Sequence, residues 1–293
     1  MKAAARLGAV SMLAGWLPAT FLSGCFAVSD LDRYSFDDDP CPPVTSECAG
    51  GVRYVYTQTA FDFVRPSEGG RLQGFDLDGT DRAVCRQDDF VSPRGDSGVD
   101  NQTSALLLSL EEVSGESLSQ GIREAQLRGE LLSLYVLDNV DSFDNDDCVR
   151  IQFLPGRVPQ GEEPAGYLDG DGDGTVDSGI RFDFGTATSE DMSACIVDGE
   201  LRVRISGNQT LLLGPDDPGA VVQRARLRCQ ASPEALTECL FGGSYSVDSL
   251  SDPALIPILQ STADLDFDGR RCQSVSFAME LEAVSAELGE PRI

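Results

Sequence analysis

The stretch Gln273-Ser274-Val275-Ser276-Phe277-Ala278-Met279-Glu280-Leu281-Glu282-Ala283-Val284 decides the fold class. Val275, Phe277, Met279 and Leu281 recur at every second residue, and a strand sends alternate side chains to opposite faces. A helix would divide these four between opposite sides. The run therefore predicts a strand with one apolar face on a core. Similar runs precede it at 220–228 (AVVQRARLR), 210–213, 201–205 (LRVRI), 180–184 (IRFDF), 148–154 (CVRIQFL), 131–137 (LLSLYVL) and 52–57 (VRYVYT). They are rich in β-branched and aromatic residues, and clusters of Gly, Pro and Asp separate them.

Two stretches read as helices. Residues 102–113 (QTSALLLSLEEV) follow Asp100-Asn101, a capping pair. Residues 117–128 (SLSQGIREAQLR) place Leu118, Ile122 and Ala125 on one face. A shorter candidate, 252–260, has Asp252 as its cap and Pro253 in its first turn. The expectation is a mainly β fold over residues 51–293, a sandwich or jelly-roll-like body with a helical insert near 102–128.

Three absences bound the chemistry. The chain has no histidine, its one lysine is Lys2, and its one tryptophan is Trp16. Without histidine there is no Ser-His-Asp or Cys-His nucleophile and no histidine zinc site. Gly95-Asp96-Ser97-Gly98 resembles the nucleophile segment of trypsin-like proteases, and the missing histidine removes that chemistry. Without lysine beyond position 2 there is no Schiff base and no P-loop. Chemistry carried by carboxylates alone survives, as in glycosidases, but no motif selects a pair among 49 acids.

The first residues carry Lys2 and Arg6, then an apolar stretch from Leu7 to Leu22, then Ser23-Gly24-Cys25. That is a charged n-region and an apolar h-region, too short for an anchor helix. Leu22-Ser23-Gly24-Cys25 resembles the lipobox of bacterial lipoproteins. The resemblance implies removal of residues 1–24 and lipidation of Cys25, which then holds the protein to a membrane. Phe26 follows the cysteine where an aspartate would favour inner-membrane retention, so the implied location is the outer membrane. Gly74-Phe75-Asp76-Leu77-Asp78-Gly79, Gly98-Val99-Asp100-Asn101-Gln102 and Asp146-Asp147-Cys148-Val149 look like segments of uncharacterised lipoproteins of myxobacteria and relatives, a resemblance that carries no function.

From Cys25 onward the chain keeps 20 arginines against 49 carboxylates. That balance repels nucleic acid. Residues 25–50 are acidic and punctuated by proline, with Asp37-Asp38-Asp39-Pro40 and Cys41-Pro42-Pro43, and read as a tether. Beyond Cys25 remain Cys41, Cys48, Cys85, Cys148, Cys195, Cys229, Cys239 and Cys272. An even number in an exported chain reads as four disulfides. Cys41–Cys48 and Cys229–Cys239 are close enough in sequence to pair locally.

The strongest ligand pattern is Asp169-Gly170-Asp171-Gly172-Asp173-Gly174-Thr175-Val176-Asp177. It resembles the first nine positions of an EF-hand-type calcium loop. Asp169, Asp171 and Asp173 stand at positions 1, 3 and 5, glycine at 6, the Thr175 carbonyl at 7 and Asp177 at 9. The pattern breaks at position 12, where Ile180 replaces the bidentate glutamate, and no EF helices flank it. Calcium on a β scaffold is the form expected. Asp264-Leu265-Asp266-Phe267-Asp268-Gly269 and Asp76-Leu77-Asp78-Gly79 are weaker echoes, the former followed by Arg270 and Arg271.

These observations predict a lipid-anchored, disulfide-stapled envelope protein, stabilised by calcium and without an organic cofactor. Its role is binding of an envelope protein or glycan, or structural, and not enzymatic. The competing reading is a carboxylate-dependent enzyme acting on glycans.

Overall fold

The structure is a computed structural model that describes residues 41, 48, 50–67, 69–80, 85, 87–114, 117–186, 192–205, 208–211, 220–249, 256–265 and 272–292. The expected signal segment and most of the expected tether lie outside these residues. Eleven strands are described: β1 (Val52–Phe63), β2 (Ser133–Val140), β3 (Asn145–Asp146), β4 (Arg150–Arg157), β5 (Ile180–Phe184), β6 (Met192–Val197), β7 (Glu200–Arg204), β8 (Asn208–Leu211), β9 (Ala220–Ala231), β10 (Ala235–Ser246) and β11 (Ser274–Pro291). The helices are α1 (Gln102–Ser114), α2 (Leu118–Leu127), α3 (Pro164–Leu168) and α4 (Ile256–Thr262).

Eight strands close on themselves in the order β1-β2-β4-β6-β7-β9-β10-β11, and β11 returns to pair with β1. Every pairing round this ring is antiparallel. The fold is thus mainly β as expected, but the body is a barrel and not two stacked sheets. Alternation cannot separate the two forms, since both give strands one apolar face. Bulges tip the outcome here. Register shifts interrupt β1 between Gln58 and Ala60, and β10 between Leu236 and Cys239. An extra residue bends its strand and raises the local twist, which helps one sheet curl to closure.

The inward residues are apolar: Tyr56, Leu137, Ile151, Ile196, Leu201, Leu227, Phe277, Met279 and their neighbours form one buried cluster. An eight-stranded ring is narrow enough for side chains to fill, and these buried side chains form its core. The alternate residues on β7, β9 and β11, among them Arg202, Arg204, Arg226, Arg228, Glu280 and Glu282, face outward. A membrane-spanning barrel has the opposite arrangement, with apolar residues outside. Among the described residues no helix is long and apolar enough to cross a membrane.

Smaller clusters dress the outside. Leu134, Leu154, Leu168, Val176 and Phe182 join β2 and β4 to α3 and β5. There β5 runs parallel to the last residues of β11 and antiparallel to β4. Val64, Leu72, Phe75 and Phe90 lay the 64–100 segment over Leu240 and Ala278. The expected helices are both present. The Asn101 side chain accepts from Ser104 N at 3.4 Å at the start of α1, and Ser117 caps α2 by accepting from Gln120 N at 3.4 Å. The cap expected at Asp252 and Pro253 lies outside the described residues; α4 is found at Ile256–Thr262.

Four disulfides staple the barrel: Cys41–Cys195, Cys48–Cys148, Cys85–Cys272 and Cys229–Cys239. The local pairing of Cys229 with Cys239 holds. The local pairing of Cys41 with Cys48 does not. Cys195 on β6 and Cys148 before β4 each take one of them, so both cysteines pin the incoming segment to the barrel wall.

Candidate metal centres

The Asp169 loop connects α3 to β5, and both its ends are buried. Leu168 is 0% exposed and Val176 3% exposed, and both sit in the cluster under β2 and β4. Anchored at these points, the glycine-rich chain between them winds tightly. Gly172 and Gly174 adopt φ of 77° and 83°, the left-handed region that favours glycine. Gly174 N donates to Asp169 Oδ2 at 3.0 Å, Asp173 N to Asp171 Oδ1 at 3.1 Å and Thr175 N to Asp173 Oδ1 at 2.8 Å.

This winding brings one carboxylate oxygen from each of Asp169, Asp171 and Asp173 within 4.8 Å of one another. Asp169 Oδ1 is buried and accepts no hydrogen bond. A buried lone pair left without a donor calls for an explanation, and a hard cation supplies one. These residues fit a metal ion. The bonds from Thr175 hold the Asp173 carboxyl below the usual aspartate range, which keeps it charged.

Two other residues of the pattern bond within the loop through side-chain oxygens. Asp177 Oδ2 accepts from Gly170 N at 2.8 Å, which closes the loop on itself. The Thr175 hydroxyl donates to Asp173 Oδ1 at 2.6 Å. At position 12, Ile180 packs into the apolar cluster. Asp183, the next acid along, cannot replace the missing glutamate. It accepts from Glu290 N at 3.0 Å and pairs with Arg292, and these hold its carboxyl low.

A second set joins Asp76 and Asp78 to Asp100, again with ligand oxygens within 4.8 Å. Asp100 is 22 residues beyond Asp78, so no spacing in the sequence announces it. The bridge between Phe75 and Asp100 brings it in, and Asp100 Oδ2 accepts from Leu77 N at 2.6 Å. Burial pushes the Asp100 carboxyl up to about 9, against the Leu77 bond and helped by Asp78, Asp264 and Asp89. A positive charge is already present here. Arg224 Nη1 donates to Leu77 O at 2.6 Å and lies within electrostatic reach of Asp78 and Asp100. The Asp169 loop has no such resident cation among the described ion pairs, and is the better metal centre.

Asp264 does not join either set. It is 4% exposed and bound by β11, accepting from Ser276 N at 2.9 Å and from the Ser276 hydroxyl. Burial raises its carboxyl to about 6, with the Ser276 bonds opposing. Asp266 and Asp268 lie outside the described residues, as does Cys25.

The raised carboxyl of Asp100 beside two further acids is the arrangement a carboxylate-dependent hydrolase would need. Its exposure of 2% decides against that use, because a general acid must reach the leaving oxygen. Comparison of the chain with protein-family models, with curated proteins and with solved structures finds no match.

Proposed function

We infer that this chain is a lipid-anchored protein of the bacterial cell envelope, held through Cys25 at the outer membrane. Its barrel serves as a rigid, non-enzymatic body, stiffened by calcium in the Asp169 loop. The observation that carries this reading is the division between a filled apolar interior and a charged outer wall. A filled interior leaves the loops and outer surface to meet an envelope protein or glycan. The four disulfides support an oxidising compartment. The Asp169 loop supports calcium, since oxygen-only ligands suit a hard cation and extracellular sites work at about 10⁻⁴–10⁻³ M.

The test is fractionation of a bacterial host expressing the wild-type chain or Cys25→Ser. The wild type is expected with outer membranes and the variant with soluble periplasm. Equal partition of the two overturns the anchor. Turnover of any polysaccharide, lost on a single Asp or Glu substitution, overturns the non-enzymatic role.

A further inference from the structure

Helix α2 packs on the outer face of β1, and polar side chains line the seam between them. Tyr56 and Phe61 pack into the barrel interior, and a strand turns alternate residues to opposite faces, so Thr57 and Asp62 face out. Thr57 shares that face with Leu134, its register partner in the outer cluster. Near the start of α2 the Ser119 hydroxyl donates to the Asp62 carboxylate. Residues 128–132 lead from the end of α2 to β2, where Leu134 stands opposite Thr57. Contact at one end and connection at the other run α2 back along β1, from Asp62 towards Thr57.

Gln126 shares a helix face with Ser119 and Ile122, the face turned to the strand. It is 1% exposed, and Thr57 is 0% exposed. Gln126 Nε2, Gln126 Oε1 and Thr57 Oγ1 are all buried without a hydrogen-bond partner among the described residues. Their polar neighbours along the seam are engaged: Ser119 donates to Asp62, and the Thr59 hydroxyl donates to Glu282 O at 3.3 Å. A buried polar atom left without a partner forfeits its bonds to solvent with no return, so each calls for an explanation. The spans along helix and strand place the two orphaned side chains together. From Ser119 to Gln126 the helix rises about 10 Å. On β1 the bulge shortens the way, since Thr57 and Asp62 stand opposite Val284 and Glu280; four strand steps make about 13 Å. The difference is less than the two hydrogen bonds of a bridging water, which span about 5 Å.

We propose that the seam between α2 and β1 is a binding site for a buried water, which bridges the Gln126 amide to the Thr57 hydroxyl. Gln126 Nε2 donates to the water, and the water donates to Thr57 Oγ1. The orphaned atoms offer a donor and two acceptors and carry no charge, which suits water over an ion of either sign. Helix α2 is then held to the strand directly at its start and through solvent near its end.

The experiment is a crystal structure of the oxidised full-length chain at a resolution that shows ordered water. A water within about 2.7–3.2 Å of both Thr57 Oγ1 and the Gln126 amide is expected. A direct bond between the two side chains, or a seam without that water, overturns the proposal. Thermal unfolding of Thr57→Val, Gln126→Leu and the double variant is the second measure. Removing one partner strands the other, whereas removing both leaves an apolar seam. Each single variant is expected to melt about 2–8 °C below the wild type, and the double variant above the lower of the two. A single variant that melts like the wild type overturns the bridge. So does a double variant that melts at or below the lower single variant, which makes the two groups independent. The crystal structure of the wild type decides the matter where a variant folds poorly.

Discussion

Asp169→Asn separates the ligand role of the loop from its fold. In the wild type Asp169 Oδ2 accepts from Gly174 N at 3.0 Å, while Oδ1 is buried without a donor. An asparagine keeps an oxygen for Gly174 N and puts an amide nitrogen where Oδ1 was. The turn survives and the cation loses an oxygen. The magnitude follows from mass action. A site with a dissociation constant of about 10⁻⁴–10⁻³ M adds about 1–2 kcal/mol at about 5 mM calcium. For a domain of this size each kcal/mol moves the melting midpoint by about 2–4 °C. Thermal unfolding followed by circular dichroism, in chelator and in calcium, should show the wild type rising by about 2–8 °C. The variant should rise by less than a third of that. A wild type that melts alike in both buffers, or a variant that keeps the full gain, refutes the reasoning from the orphaned oxygen.

Three further outcomes are expected. Asn101→Ala removes a cap and leaves Ala278 N and Gln73 O without their side-chain partners; urea unfolding should record a loss of about 3–6 kcal/mol. Burial holds Asp100 at about 9 and Asp264 at about 6, both above the unfolded aspartate. The folded state therefore binds the extra proton, and stability falls as pH rises from about 4 towards those values, most steeply by about 1.4 kcal/mol per pH unit per group. Asp100→Asn should cancel the part of that fall lying above pH 6, read as the wild-type-minus-variant difference in urea midpoints. Non-reducing peptide mapping should recover Cys41 with Cys195 and Cys48 with Cys148; a Cys41–Cys48 peptide would contradict the entry of the chain onto β6.

Local chemistry was legible in the sequence, and long-range chemistry was not. The alternation of β11 and the Leu-rich α1 with its asparagine cap are read within a dozen residues, and both stand in the structure. The Asp169 loop is likewise local, and its three leading acids do converge. By contrast β10 escaped the reading. It contains Gly242 and Gly243, where a Cβ would meet the Phe75 ring at 2.7 Å and Val222 at 2.9 Å. Close packing demands glycine at both, and glycine reads as a loop. The bulge near Glu238, with φ of 49°, also shifts the alternation midway. β6 is built from Met, Ser, Ala and Cys before its Ile and Val, too small a payload to register as a strand. Asp100 joins Asp76 and Asp78 only through the bridge between Phe75 and Asp100, which no spacing in the sequence announces.

That closure has a consequence for how the molecule is made. β1 and β11 are each other's neighbours, yet they are separated by nearly the whole described chain. A contact order this high means slow folding, because the entropy of a very long loop is lost before any of its contacts form. The ring has no stable subset that hides both faces of β1 until β11 has been synthesised. A chain in the course of synthesis would remain open along its entire length until then. During that interval the first two cysteines beyond Cys25, Cys41 and Cys48, are each other's nearest thiols in the chain. Their native partners, Cys195 and Cys148, lie 154 and 100 residues further on. Production therefore depends on delaying or reshuffling the early thiol pair, and an isomerase should raise the yield of native protein more than any chaperone of the finished barrel.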